Sequence, residues 1–334
     1  MKSLDDDQKK VLRHGRFSVL GPPGSGKSNA AEGYVAWQDT PCDVLVRKRM
    51  EAKVLVDRGI KGAKTLQKHR YIALGRPEIT GKEDLKLLLA GLQEGEESGR
   101  PLVIDEGHNY SAEFFAVIED VWAGKDMVVF HDKYQCCMHD WANAVDDIND
   151  ELNWRFGITK EIPLIINYRS VPKIVKVLNT IVPRKMTAFS KDEGGYVHIE
   201  QCSTAKDELH FIYNALLEGF EDVQILARNS NRCKQISAFL KEHDVPHLLY
   251  LSGMREVFSN GIIVQTYHTS QATEHLTVFP TGVTQGILPD WRGGRDEHNL
   301  FYVGCSRAMK NLLVSYYDVP SKFITNELRG LSER

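Results

Sequence analysis

The residues with the clearest chemistry lie near the N-terminus, in the stretch VLGPPGSGKSNAA. Its centre, Gly21-Pro22-Pro23-Gly24-Ser25-Gly26-Lys27-Ser28, is a glycine-rich turn ending in Lys-Ser. An apolar run, FSVL, precedes it, and SNAAEGYVAW, rich in helix formers, follows. A turn of this kind between a strand and a helix points several backbone N–H groups into one concavity, and the helix dipole adds positive potential there. Lys27 is spaced to reach the β- and γ-phosphates of a nucleoside triphosphate, and Ser28 to ligate Mg²⁺. A second stretch, PLVIDEGHN, ends an apolar strand in two adjacent carboxylates. Asp105 suits the metal. Glu106 suits the water that attacks the γ-phosphate, which favours hydrolysis over simple transfer.

These residues must be carried by α/β architecture. Apolar runs of strand type recur as FSVL, DVLV, PLVID, MVVF, VQILA, GIIVQTY and NLLVSYY, with helical stretches such as RCKQISAFLKEH between several of them. That alternation predicts parallel sheets. A chain of 334 residues is long enough for about two domains, and GITKEIP (157–163) is the expected break, giving domains of 1–160 and 161–334. Composition is that of a soluble globular protein, 42% hydrophobic and 26% charged. The first residues lack the apolar core of a signal peptide, and no apolar run approaches a membrane span. Six cysteines without a C-x-x-C pair read as reduced, cytoplasmic thiols.

The net charge of −3 argues against a bulk polyanion binder, but the charge is uneven. Residues 47–71 hold nine Lys/Arg against two acids. This segment, with Arg47, Lys48 and Lys64, is either a solvated helical face or a track for a phosphate backbone. His131, Asp132, Cys136, Cys137 and His139 cluster in sequence, but their spacing fits no common zinc pattern. Mg²⁺ arriving with the nucleotide is the one ion expected.

Taken in order, the motifs resemble those of superfamily 1 helicases of the UvrD/PcrA/Rep type. LDDDQKKVL resembles the Q motif, which implies Gln8 on the adenine. TLQKHRYIAL resembles a strand-contacting T-F-H-S segment and implies a nucleic-acid contact at His69. FHDKYQCC resembles G-D-x-x-Q, implying that Asp132 and Gln135 couple the γ-phosphate to the nucleic-acid site. LIINYRSVPKIVKVLN is similar to L-x-x-N-Y-R-S, with Tyr168 stacking on the base and Arg169 on the γ-phosphate. VQTYHTSQATEH resembles T-x-H-x-A-K-G-L-E, with Glu274 on the ribose. NLFYVGCSRAMKNLLVS is similar to L-F-Y-V-A-x-T-R-A, with Arg307 as the arginine finger. Trp141, after the G-D-x-x-Q segment, is either a base-stacking platform or a core residue.

The resemblance implies two RecA-like domains with ATP and Mg²⁺ in the cleft between them, and a motor translocating 3′ to 5′ on single-stranded nucleic acid, DNA before RNA. An ATP-gated switch or interaction subunit of a larger complex, hydrolysing slowly, is the alternative of a different class. Several positions depart from the family: His108 for the glutamine of D-E-x-Q, His131 for the glycine of G-D-x-x-Q, and Gln271 and Ala272 for the Lys-Gly pair. The family's two large insertions have no room. The intervals Gly75–Pro101 and Arg228–Ile263 hold 27 and 36 residues, below the roughly 50 of a small domain. Duplex unwinding is therefore expected to need a partner protein.

Overall fold

The structure, a computed structural model, describes residues 3–46, 49–57, 59–60, 63–65, 100–137, 139, 143–252, 254, 261–291, 294 and 296–333. It divides into two compact units, Met1–Ile165 and Ile166–Arg334. The first unit is built on β1 (Arg16–Leu20), β2 (Asp43–Leu45), β3 (Ala63–Lys64), β4 (Leu102–Ile104), β5 (Met127–His131) and β6 (Glu161–Pro163). These form one parallel sheet in the order β3-β2-β4-β5-β1-β6. Because β6 pairs with β1, the first unit extends past residue 160.

The apolar runs have a period of two, so one strand serves two cores. Val44, Val103, Val128 and Phe130 face one buried cluster with Phe17, Ala30 and Tyr34. Leu45, Leu102, Ile104, Met127 and Val129 face the other, with Phe115, Ile118 and Trp122. The strands in the middle of this sheet stop at a common edge. Leu20, the last residue of β1, pairs with His131, the last of β5, and Ile104, which ends β4, pairs with Val129. Loops leaving the carboxyl ends of β1, β4 and β5 therefore start as neighbours, which is where open α/β sheets place their ligands.

The second unit repeats the plan with β9 (Tyr196–Cys202), β10 (Val223–Ala227), β11 (Leu248–Tyr250), β12 (Ile262–Thr266), β13 (His275–Pro280) and β14 (Ala308–Tyr317). Their order is β11-β12-β10-β13-β14-β9, again parallel. A small two-stranded sheet joins β7 (Ile166–Asn167) and β8 (Thr187–Ala188). Between Arg228 and Ile263 the described residues form the helix Ser230–Glu242 and β11, both parts of this unit's core layer, so that interval is spent on the sheet itself. The other short interval, 75–101, lies almost wholly outside the described residues.

One buried carboxylate of this unit is satisfied by partners distant in sequence. Glu208, fully buried, accepts from Gly282 N, Ser315 Oγ and Arg232 at 2.7–2.8 Å. A carboxylate so deep requires partners of this kind.

Gly304, in the helix Asp296–Cys305, stands where the resembled motif has alanine. A Cβ there would lie 2.6 Å from the Tyr267 ring, which is fully buried and anchored by its hydroxyl to Thr281 O. Gly304→Ala gains about 1 kcal/mol of helix propensity but overpacks a rigid ring at about 1–3 kcal/mol. The expected outcome is a lower thermal unfolding midpoint, measured by circular dichroism.

Candidate nucleotide site

The phosphate loop links β1 to the helix Lys27–Trp37. Gly24 and Gly26 adopt positive φ, 72° and 78°, which explains glycine at both. Ser25 Oγ donates to Pro22 O at 2.8 Å and closes the turn. Lys27 is 9% exposed and folds back to donate to Gly21 O at 2.8 Å. Its ammonium also lies 3.4 Å from Glu106 Oε1.

Glu106 itself sits in the left-handed region, φ 53° and ψ 43°, immediately after Asp105. That is an uncommon place for a side-chain-bearing residue and costs of order 1 kcal/mol. Its other oxygen, Oε2, lies 3.0 Å from His108 Nε2. Burial raises the Glu106 pKa, but the Lys27 ammonium and the His108 ring outweigh it and hold the carboxyl well below the usual range.

The β5 loop completes the site. Asp132 N donates to His108 Nδ1 at 2.9 Å. Gln135 Nε2 donates to Asp132 Oδ2 at 2.7 Å and reaches Gly21 O at 3.4 Å. Cys136 Sγ donates to His108 O at 3.0 Å. Lys27, Glu106, Asp132 and Gln135, separated by up to 108 positions in sequence, thus form one network with His108 at its middle. The sequence marked His108 only as a departure; its spacing after Glu106 was the available signal.

Ser28 is half-buried in the first turn after the loop, and Asp105 is 8% exposed at the end of β4, accepting from Glu106 N at 3.0 Å. A hydroxyl and a carboxylate are hard oxygen donors that suit Mg²⁺. Among the described residues, no group of three or more His, Cys, Asp or Glu is placed to hold a metal ion. Of the sequence cluster weighed for zinc, His131 instead faces Glu161 at 3.4 Å, and Asp132 and Cys136 serve the network above.

Gln8 does not present itself to an adenine. It is 2% exposed, and its Nε2 donates to Ser25 O and Gly26 O at 3.3 and 3.5 Å, while Oε1 accepts from Asn29 at 3.0 Å. The amide is consumed in bracing the loop. A Cβ on Gly26 would come within 2.5 Å of Gln8 Nε2, so the two residues fit as a pair. Lys64 also differs from expectation. It lies 3.6 Å from Asp43, a buried carboxylate that also accepts from Trp122 Nε1. Its charge offsets a core acid. Arg47, Lys48, His69 and Trp141 lie outside the described residues.

In the second unit, Asn167 Oδ1 accepts from Arg169 N and Ser170 N and fixes the turn after β7. Arg169 pairs with Glu274 and donates to Ser306 O at 3.1 Å. Glu274, expected on a ribose, is engaged by that arginine. Tyr168, 37% exposed, packs against Phe189 with ring centroids 4.9 Å apart. Arg307, expected as a projecting finger, turns inward. It donates to Val303 O, Gln271 O and Ser306 Oγ at 2.8–3.1 Å.

Comparison with known proteins follows the same lines. Residues 162–259 match the family described as UvrD-like helicase C-terminal domain. Two curated relatives are each an ATP-dependent DNA helicase Rep from Buchnera aphidicola. The one from subspecies Baizongia pistaciae is 35% identical over 94 residues, 26% of this chain and 14% of its own length. The one from Schizaphis graminum is 31% identical over 87 residues, 21% of this chain and 13% of its own. The chain thus spans only about a seventh of these relatives in matched sequence. Arterivirus nonstructural protein 10, described as a helicase, superimposes over 98% of this chain and 64% of its own, with a TM-score of 0.51 and 14% identity. That likeness is one of fold, and it agrees with two RecA-like α/β units.

The Glu106 linkage has a testable sign. Its pKa in the folded protein lies below the ordinary 4.5, so its stabilising contribution is complete above that pH and is lost as pH falls through and below it. Glu106→Gln deletes the contribution. Its stability deficit against the unsubstituted protein should be largest near neutrality and shrink below about pH 4.5, as read from urea midpoints across that range.

Proposed function

We propose that this chain, which over residues 162–259 is similar to the UvrD-like helicase C-terminal domain, is an ATPase that translocates on single-stranded nucleic acid, DNA before RNA, in the 3′ to 5′ direction. The observation that carries the reading is the Lys27–Glu106–His108–Gln135 network at the carboxyl edge of a parallel sheet, directly under a phosphate loop. Loop N–H groups and Lys27 bind the β- and γ-phosphates of ATP. Ser28 and Asp105 hold Mg²⁺, which when bound neutralises charge on those phosphates. Glu106 accepts a proton from the attacking water. The new bond from water oxygen to the γ-phosphorus forms as the bond to the β–γ bridging oxygen breaks, and ADP leaves with that electron pair.

Arg169 and Arg307 act on the γ-phosphate, Tyr168 stacks on the base and Glu274 holds the ribose; the family motifs support these roles. Arg47, Lys48 and Lys64 contact the strand, on the charge of their basic segment, and His69 and Trp141 on the motifs. A partner protein supplies the grip on duplex that the short intervals leave out. One observation favours the slower, switch-like alternative: Arg307 spends its donors on carbonyls of its own unit, and each must be released before a finger can act.

The deciding measurement is the ATPase rate with and without single-stranded DNA and RNA. Stimulation by a single strand is expected; a rate unchanged by either strand supports the switch. Lys27→Ala should lower turnover by about 10²-fold or more with the circular dichroism spectrum retained. Arg307→Ala should lower turnover by about 10³-fold or more while nucleotide still binds. On a 3′-tailed duplex, the chain alone should displace little strand; processive displacement would show that no partner is required.

A further inference from the structure

We propose that His108 is the positioning residue for the general base: locked as its Nε2–H tautomer by the Asp132 backbone, it grips Glu106 Oε2 and leaves Oε1 as the oxygen that meets the attacking water. The proposal rests on the hydrolytic reading of Glu106 given above.

The tautomer follows from the geometry. A backbone N–H can only donate, and Asp132 N lies 2.9 Å from His108 Nδ1. Nδ1 is therefore the acceptor, and the ring proton sits on Nε2. An ionised carboxylate can only accept. The 3.0 Å contact from Nε2 to Glu106 Oε2 is then an Nε2–H donation. The Asn109 amide lies 3.2 Å from the same nitrogen, so this tautomer requires that amide to turn its oxygen, which has no other partner, toward the ring.

The ring has little freedom to do otherwise. His108 is 2% exposed, in the short 3₁₀ turn Gly107–Asn109. Its own carbonyl is held by Cys136 Sγ, and Gly107 is pressed so close to β5 that a Cβ there would lie 2.5 Å from Val129. The turn, the ring and the β5 loop move as one piece.

The two carboxylate oxygens thereby acquire different tasks. Oε2 belongs to His108, while Oε1 faces the Lys27 ammonium at 3.4 Å. When Lys27 is drawn to phosphate, Oε1 is released toward water, and His108 keeps the carboxylate plane from swinging. Asp132 also carries Gln135, which reaches Gly21 O in the phosphate loop. A shift of the β5 loop is thus passed through the ring to the base. The ring does with two nitrogens what a glutamine amide could do with an oxygen accepting from Asp132 N and a nitrogen donating to Glu106, but with both points in one rigid plane.

The test compares His108→Leu and His108→Gln in the full chain, after turnover of the unsubstituted protein has been recorded. His108→Leu should lower kcat by about 10²-fold through a misplaced base, with KM for ATP little changed. His108→Gln should recover turnover to within about tenfold of the unsubstituted protein, since it restores both hydrogen bonds. A leucine variant with normal kcat, or a glutamine variant as impaired as leucine, would overturn the proposal. The ¹⁵N spectrum of the histidines, with His108 identified by its loss in His108→Gln, gives a readout independent of activity and of whether the leucine variant folds. The expected signature is a bare Nδ1 and a protonated Nε2; a proton on Nδ1 refutes the lock. Absence of turnover in the unsubstituted protein would count against the ATPase reading alone, because the spectrum still decides the tautomer.

Discussion

A buried ammonium must be neutralised where it sits, and in this protein that requirement organises the phosphate loop. Lys27 has two partners of different kind, the Gly21 carbonyl and the Glu106 carboxylate. The first folds the loop onto its own lysine. A Cβ at Gly21 would fall 2.1 Å from the Lys27 side chain, so the glycine is required by that fold-back. The second draws the strand-end carboxylate across from β4 and keeps it ionised, despite a left-handed backbone and partial burial. Because Glu106 is held from the far side by His108, and His108 by the Asp132 amide, the neutralisation of one charge fixes three loops from three adjacent strands.

Much of this was legible in the sequence, for definite reasons. Strands in the middle of the sheets are buried on both faces, so FSVL, DVLV, PLVID, MVVF and VQILA read as strands and are strands. Their order in the chain was enough to anticipate parallel sheets. The edges were not legible. β9, at the margin of its sheet, runs Tyr-Val-His-Ile-Glu-Gln-Cys and is only partly buried, so its pattern resembles a polar loop. β6 has three residues and ends in proline, tolerable on an edge strand and a weak signal anywhere. Missing β6 is why the expected boundary fell before the first unit was finished.

Side-chain commitments were the other hidden layer. Spacing names the residues that could meet a nucleotide but not where each points when it has other partners. Gln8 matches a motif position, yet its buried amide bonds to the loop and to Asn29. Lys64 belongs to a basic segment, yet it lies 3.6 Å from the buried acid Asp43, the first residue of DVLV. Neither partner is close in sequence, so neither could be inferred without the sheet that brings them together.

The three basic groups proposed to meet the phosphates of ATP have a common feature: each already holds a partner within its own unit. Lys27 has Gly21 O and Glu106, Arg169 has Glu274 and Ser306 O, and Arg307 has the carbonyls of Val303 and Gln271. Phosphate binding at such groups is an exchange of counter-ligands rather than the filling of a bare positive hole. Its free energy is the difference between new contacts and those given up, so affinity stays moderate however many hydrogen bonds form. The same internal partners stand ready to displace the product. A cycling enzyme assembled this way gains release as a built-in counterpart of capture.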